Sequence, residues 1–578
     1  MRNLPSILFS LALSAGVAAC NGGSGGRAAN DAGSGQGGAT GIGGSNGSGS
    51  GGLTGSTGGN GGTTGSAGSP GTGGVTTPGT GGTPGAMGGA TGTTGASVLL
   101  HHNNPSRDGV YVDARLTRAA AATMHVDTTF ANVALTGPIY AQPLYLAGGT
   151  AGPDALVVAS ANNRVTSLNG ATGARLWEVT LGTPVTGGLC GRPLNPMGIV
   201  GTPVIDAASR TIYLSAMTAV AAGARHMAHA LAIDSQGAER TGWPVDLNAT
   251  ARSGNISFDS PVQNQRAAAI LLGDKVFIPF GGHIGDCDGY HGWIVGITTT
   301  GAPQVSAWST TAFAGGIWGS SGIASDGTSL IVTTGNTKEL ASSGGRGTSP
   351  PGGNWGGGEA VIKFPTTLVQ PVPTATREYF VPSDWINLDL ADADIGGSGP
   401  ILLRVPGATP SNLIVALGKD GKAYLLDAAN LGGLDAAPLT SLAVANGAII
   451  QAAVAYTTAT ASYVVFRGTG VGCPGGQTGG LTAIKVSAAS PPVMSIAWCA
   501  GATATSSPAV SVTDAQGANA VVWYVDNTGH LRGLNGDTGA SVLADTTALG
   551  TVMAHQTPIV ANGRIFVASN SRVFAFTP

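Results

Sequence analysis

Charged residues are scarce in this chain. Only 10% of its 578 residues are Asp, Glu, Lys or Arg, 29 acidic against 26 basic, for a net charge of −3. No basic patch stands out, which argues against nucleic acid as a partner. Lys and Glu are few, while Gly, Ala, Thr, Val and Ser abound, a composition that favours strands and turns over surface helices. Long apolar runs are equally rare. The run from Ile7 to Val17 is too short to span a bilayer, and no other segment is long and apolar enough. There is no H-E-x-x-H, no C-x-x-C-H haem site and no Cys-Cys dipeptide, and no G-x-S-x-G outside the glycine-rich residues 20–97. The G-x-G-x-x-G matches sit in a glycine-rich tract with no flanking strand or helix, so they carry no weight.

What is present begins with an address. Arg2 followed by the apolar run reads as a secretory signal. It ends in Val17-Ala18-Ala19-Cys20, which resembles a bacterial lipobox. The expectation is a signal peptide over residues 1–19, a lipidated Cys20 and a membrane contact through that lipid alone. In the lipoproteins this resembles, Asn21 in place of Asp leans towards the outer membrane. Residues 20–97 are almost wholly Gly, Ser, Thr, Asn, Ala and Pro and cannot bury a core, so they read as a flexible tether. Flexible-chain scaling gives it a reach of roughly 50 Å. A domain held away from a membrane is implied.

Residues 98–578 repeat. A small residue, often followed by Pro, opens a short apolar strand, a turn and a second apolar strand. QPLYLA with ALVVASA, TPVID with TIYLSA, and RAAAILL with KVFIPFGG are the first three pairs. SSGIAS, SGPILL, AAVAY, SPAVSV and TPIV open five more. The units start near Gln142, Thr202, Arg266, Ser320, Ser398, Ala452, Ser507 and Thr557. A spacing of about 50–80 residues suits a four-stranded blade with loops. Third strands follow, such as RVTSLN and KAYLLDA, then fourth strands such as RLWEVTL. The last unit stops after its third strand, and Val126–Leu135 looks like one unpaired strand before the first. The expected fold is all-β: an eight-bladed β-propeller of four-stranded antiparallel blades. The N-terminal strand completes the last blade and closes the ring. In SLNGATGARLWEVTLG the turn joins third and fourth strands, and Trp177 fills the gap to the next blade, with Leu543 as its counterpart in GLNGDTGASVL.

These repeats resemble the pyrroloquinoline-quinone (PQQ) type of β-propeller, the quinoprotein alcohol dehydrogenase-like superfamily. Its repeat reads roughly as a strand, D/N-x-x-T-G-x-x-x-W and a strand, matched by Asn169, Thr172, Gly173 and Trp177. Segments including RDGVY, GPIYAQPLYL, GGIWGSSG and GKDGKAYLLDAANLG are similar to secreted bacterial propellers of unassigned activity. The dehydrogenases of the superfamily hold PQQ between a tryptophan and a vicinal disulfide, over a Ca²⁺ ion, with an Asp as base. Carried to this chain, the resemblance implies Trp318 as floor, Arg266 and Lys419 as partners for carboxylates and Asp394 as a candidate catalytic base. The missing Cys-Cys dipeptide counts against it, and no dehydrogenase motif matches residue by residue.

In a propeller the first strand of each blade lines the axis, and the loops entering it share a face with the loops between second and third strands. That register gathers Gln142, Asn264, Gln265, Arg266, His291, Trp318, Asn336, Lys419 and His555 into a polar funnel of candidate ligand-binding residues. Asp286 and Asp288, and Asp392 and Asp394, are candidate metal ligands because closely spaced carboxylates suit Ca²⁺, although neither stretch has EF-hand spacing. In an oxidising compartment Cys190, Cys287, Cys473 and Cys499 allow three pairings. Cys473 and Cys499 fall at the same end of one blade and are expected to pair, which leaves Cys190 with Cys287. The leading expectation is a monomeric outer-membrane lipoprotein whose funnel binds a protein or glycan partner, not an enzyme and with no cofactor required. A quinoprotein oxidoreductase of alcohols or sugars using PQQ and Ca²⁺ is the alternative. A polysaccharide-acting enzyme, for which Trp318, Tyr290, Trp293 and Trp355 could supply aromatic contacts, is a further one.

Overall fold

The computed structural model describes residues 97–148, 152–287, 289–338, 355–372 and 374–578. The signal peptide, Cys20, residues 20–96 of the tether and Asp288 lie outside the described residues. No helix among the described residues is long and apolar enough to cross a membrane.

Residues 98–578 fold into eight small sheets of antiparallel strands arranged as blades. Blade one consists of Leu144–Leu146, Ala155–Ser160, Arg164–Asn169 and Arg175–Thr180. The inner strands of blades two to eight are Val204–Asp206, Ile270–Leu272, Ala324–Ser325, Ile401–Arg404, Val454–Thr457, Ala509–Val512 and Ile559–Ala561. Each blade is covered on both faces by its neighbours. Its central strands therefore read as unbroken apolar runs: every residue of Ala155–Ser160 is buried. The core is a series of clusters at the seams. Leu144, Val157 and Trp177 of blade one pack with Ile205, Ile212 and Leu231 of blade two. Trp177 presses on the turn at Gly237, where a Cβ would come within 2.8 Å of the indole. Only glycine fits that position. Leu543 sits at the seam between blades seven and eight.

Several blades depart from four plain strands. Blade two has a fourth strand in two pieces, Ala238–Glu239 and Val245–Asp246, because Pro244 between them has no N–H to give the ladder. In blade four a fifth strand, Gly433–Ala436, adds in parallel to Tyr379–Pro382. At the outer edge of blade eight, His125–Val126 pairs antiparallel with Val573–Thr577. The pairing stops after two residues, where the sequence suggests ten. Asp127 ends it, accepting from the Thr129 amide at 2.9 Å in an Asx turn and binding Arg564 at 2.7 Å.

The feature least visible in the sequence is the lead-in, residues 98–112, which laces the inner ends of the blades. Val98 bridges Tyr145 of blade one, and the Ile205 amide of blade two donates to the Leu99 carbonyl. Amides of Ser325, Leu402 and Ala455, in blades four, five and six, donate to the carbonyls of Pro105, Ser106 and Asp108. Val110–Val112 then pairs in parallel with Val510–Val512 of blade seven, as a fifth, innermost strand. At the centre stands Arg107, with no exposed surface. Its guanidinium donates to the carbonyls of Ile323 (2.8 Å), Ala269 (2.9 Å) and His101 (2.7 Å). Burial lowers its pKa to about 9, so it remains charged at neutral pH. Replacing it with methionine keeps the volume and deletes the donors. Arg107→Met is expected to lower the unfolding free energy of the full chain by about 3 kcal/mol or more, read by urea denaturation. Wild-type stability in that variant would show the lacing to be peripheral.

Candidate functional site

Loops on one face bring five of the candidate residues together. Trp318 precedes the inner strand of blade four. Asp392 caps the short helix Trp385–Ala391 and, with Asp394, precedes blade five. Lys419 lies on the hairpin between Asn412–Leu417 and Lys422–Asp427. The Trp318 indole N–H donates to Asp394 Oδ2 at 2.8 Å. Lys419 Nζ donates to Asp394 Oδ1 at 3.1 Å and Asp392 Oδ1 at 2.6 Å. Arg266 Nε donates to the Trp318 carbonyl at 3.1 Å, and its guanidinium carbon lies 4.9 Å from the indole centroid, with Lys419 Nζ at 5.0 Å. Two cations thus sit over one tryptophan, an attraction between positive charge and the ring quadrupole. A Cβ on Gly335 would reach within 2.6 Å of Asp394 Oδ2 and 2.8 Å of Trp318 Nε1, so glycine lets the backbone pass this pair.

Beneath this cluster lie more carboxyl groups. Burial raises the pKa of Asp394, helped by Asp392 and opposed by Lys419. Lys419 in turn is held above its ordinary value: burial works against its charge, but Asp394 and Asp392 outweigh it. Asp389 is fully buried and accepts from the Thr337 amide (2.9 Å) and hydroxyl (2.8 Å). Glu359, also fully buried, takes the Ile395 amide on Oε2 at 3.0 Å, while Oε1 meets no donor. Burial, with Asp394 and Asp389 nearby, raises the Glu359 pKa well above its ordinary value. Asp286, Glu359, Asp392 and His555 all have positive φ, at 50°, 47°, 55° and 71°. Such backbone strain is characteristic of functional loops.

Nearer the axis the face holds a cavity of about 90 Å³ lined by Tyr140, Thr202, Arg266, Ser320 and His555 together with apolar side chains. Burial, with Arg266 and Arg467 nearby, pushes the His555 pKa down to about 3, so its ring is neutral at physiological pH. Cys190 and Cys287 form a disulfide that ties two loops at the rim, and Cys473 and Cys499 form one within blade six.

Other candidates are engaged elsewhere. Gln142 holds the lacing segment, accepting from the His102 amide at 3.0 Å and donating to the Leu100 carbonyl at 3.2 Å. His291 Nδ1 lies 2.9 Å from the carbonyls of Thr310 and Ala312, which fixes a loop of blade three. Asn264 and Gln265 are buried beside Arg266, each with a side-chain oxygen lacking a partner. The Asn336 carbonyl accepts from Gly315. Asp286 pairs with Lys338 at 3.4 Å. Of the aromatics considered as a sugar platform, Trp293 has no exposed surface, Tyr290 is buried and Trp355 stacks on Tyr379 at 4.7 Å. Trp318 alone of the four stays part-exposed without a stacked aromatic partner. Sequence reasoning passed over Thr202, Ser320 and Glu359 as site residues. The first two stand immediately before inner strands, a position that could have flagged them.

A larger cavity, about 510 Å³, opens on the opposite face between the edge strand Val110–Val112 and the hairpin turns of blades six and seven. Its walls are mostly apolar, and its deep carboxylate, Asp108, is already satisfied by Asn104, Ser106 and the Val110 amide. Size favours this cavity. The cluster of buried carboxyl groups and paired cations around Trp318 lies on the funnel face, and the function is sought there.

No protein-family model matches the chain, and no curated protein is similar to it. Solved structures are. Quinohemoprotein alcohol dehydrogenase from Comamonas testosteroni superposes with a TM-score of 0.55 at 12% identity, covering 83% of this chain and 80% of that one. The quinohemoprotein alcohol dehydrogenase ADHIIG from Pseudomonas putida gives 0.54 at 10% identity, with the same coverage. A europium-containing methanol dehydrogenase gives 0.54 at 11%, covering 83% of this chain and 98% of the other. The chain therefore has the eight-bladed propeller fold of the quinoprotein dehydrogenases. At such identities the likeness extends to the fold alone.

The residues do not fit the Ca²⁺ and PQQ that the sequence resemblance implies. Calcium requires six to eight oxygen ligands. Both oxygens of Asp394 are held by N–H donors and both of Asp389 by Thr337. Among the described residues no three of His, Cys, Asp and Glu converge in a metal-binding group. For PQQ, the Trp318 ring already carries two cations, no Cys-Cys dipeptide exists and the axial cavity of about 90 Å³ is below the range of organic-ligand pockets.

The Glu359–Asp389 pair makes stability depend on pH. Burial, the largest cause, raises the Asp389 pKa to about 7. A carboxyl whose pKa is raised on folding favours the native state fully below its unfolded value, near 3.9, and loses that contribution as pH climbs through the folded value. The unfolding free energy of the full chain, measured by urea at stepped pH, is therefore expected to fall across the window from about 4 to about 7. Asp389→Asn is expected to flatten that fall. A wild-type profile already flat there would contradict the raised Asp389 pKa.

Proposed function

We propose that this protein is a ligand-binding module of the bacterial cell envelope that works through its funnel face. One observation carries the reading: Trp318 stands part-exposed in the funnel, held by Asp394 and flanked by Arg266 and Lys419. An amphipathic aromatic fixed among charges is a contact surface for a polar partner, protein or glycan. Two disulfides fit an oxidising compartment. The Val17–Cys20 motif and the glycine-rich tract support a lipid-anchored domain on a tether, in the outer membrane and acting as a monomer.

A quinoprotein oxidoreductase is the second reading. The propeller fold and the Trp318–Asp394 bond favour it, and the crowded indole and small cavity oppose it. One experiment separates the two. The full-length chain is loaded with PQQ and Ca²⁺, freed of unbound cofactor and examined by absorption and by dye reduction with alcohols and sugars. In parallel, wild type and Trp318→Ala are passed over an immobilised array of envelope glycans and acidic peptides. The expected outcome is no retained PQQ and saturable binding to an array component that Trp318→Ala weakens at least about tenfold. Stoichiometric PQQ with substrate-dependent dye reduction would overturn the binding reading.

A further inference from the structure

The walls of the axial cavity are donors. Arg266 spends Nε on the Trp318 carbonyl, while its two terminal nitrogens make no hydrogen bond or ion pair among the described residues. Ser320 Oγ accepts from the Ala452 amide at 3.2 Å and Thr202 Oγ1 from the Gln142 amide at 3.0 Å, which leaves each hydroxyl hydrogen free to donate. The Tyr140 hydroxyl has no partner among the described residues. His555 Nδ1 is buried without a partner, on a ring that stays neutral and can present an N–H. No carboxylate lines the space. Arg266 is half-buried, and the carboxylates nearest in charge to it, Asp286 and Asp394, lie outside the cavity lining; a cation facing a space ringed by hydroxyl and imidazole donors favours a negative group within it. Water alone would not neutralise it. The volume, about 90 Å³, equals roughly three waters. It admits a compact oxyanion and excludes a sugar ring.

We infer that the axial cavity is an oxyanion site, taking a carboxylate or phosphate in a two-pronged bond with Arg266 while Ser320, Thr202 and His555 donate to it. This rests on the funnel-binding reading and names the group of the ligand that enters deepest. The site serves either a carboxylate borne by a larger ligand or free phosphate.

Isothermal titration of the full-length chain with sodium acetate and with inorganic phosphate, in chloride-free buffer, tests it. Wild type is expected to bind at least one probe saturably with a Kd of about millimolar. Arg266→Gln is expected to weaken that binding at least about tenfold, and Ser320→Ala by a smaller factor. Arg404→Met, a charge removed from the opposite face, is expected to leave it unchanged. Tighter binding of acetate assigns the site to a ligand-borne carboxylate, and tighter binding of phosphate to the free anion. Should Arg266→Gln fail to fold, Ser320→Ala and Thr202→Val must still weaken binding. No saturable heat from either probe, or undiminished affinity in the folded variants, overturns the site. Loss of array binding in Trp318→Ala alongside that failure would leave the funnel reading standing without an oxyanion pocket. Retained PQQ would remove the funnel reading itself.

Discussion

A single guanidinium at the axis holds the ring together from inside. Blade-to-blade packing is apolar and non-directional, so it fixes neighbours but says little about how eight wedges meet at the centre. Arg107 supplies direction. Its three carbonyl partners belong to the approach to blade three, the approach to blade four and the lacing segment itself. Around it, carbonyls of residues 99–108 receive amides from four inner strands that would otherwise be unpaired edges. The charge is solvated by peptide dipoles in place of a carboxylate.

Charge on the funnel face is divided. Arg266 opens on the axis without an anion, while the carboxyl groups Asp389, Asp394 and Glu359 gather to one side under blades four and five. Lys419 is the hinge between them, bonded to Asp392 and Asp394 and also lying over the indole. Trp318 touches both halves, donating to the acidic side and stacking under the cationic one. The indole is therefore where a change in either charge group would register.

The blades were legible in the sequence because their signals are local. Paired apolar runs, turn residues and the Thr-Gly turn before Trp177 repeat at blade spacing, and burial on both faces makes each run conspicuous. The lacing segment was not. His101 to Arg107 reads as a polar loop, and its partners Ala269 and Ile323 lie 162 and 216 residues away. A bond to a backbone carbonyl also leaves no residue signature at the accepting end. For the same reason the sequence does not show that Gln142 and His291, polar side chains at funnel positions, have hydrogen bonds that go to backbone. Trp318, Asp394, Lys419 and Arg266 could be placed on one face from strand register, but their mutual contacts could not. Glu359 was invisible because a long connection separates it from the strand that precedes it.

The lacing segment also sets the order in which this protein can be completed. Residues 98–112 are made before any blade, yet Val110–Val112 pairs with Val510–Val512, and His125–Val126 with the last strand of the chain. Blades can form one by one from local hairpins. The hub cannot be completed until the seventh blade exists, and the eighth cannot be edged until Val573–Thr577 has been made. Val110 and Val510 stand 400 residues apart, so this closure carries a large loop-closure cost and comes late. Until then Val110–Val112 is an edge strand without its partner, and a chain shortened before Val510–Val512 would leave that edge exposed.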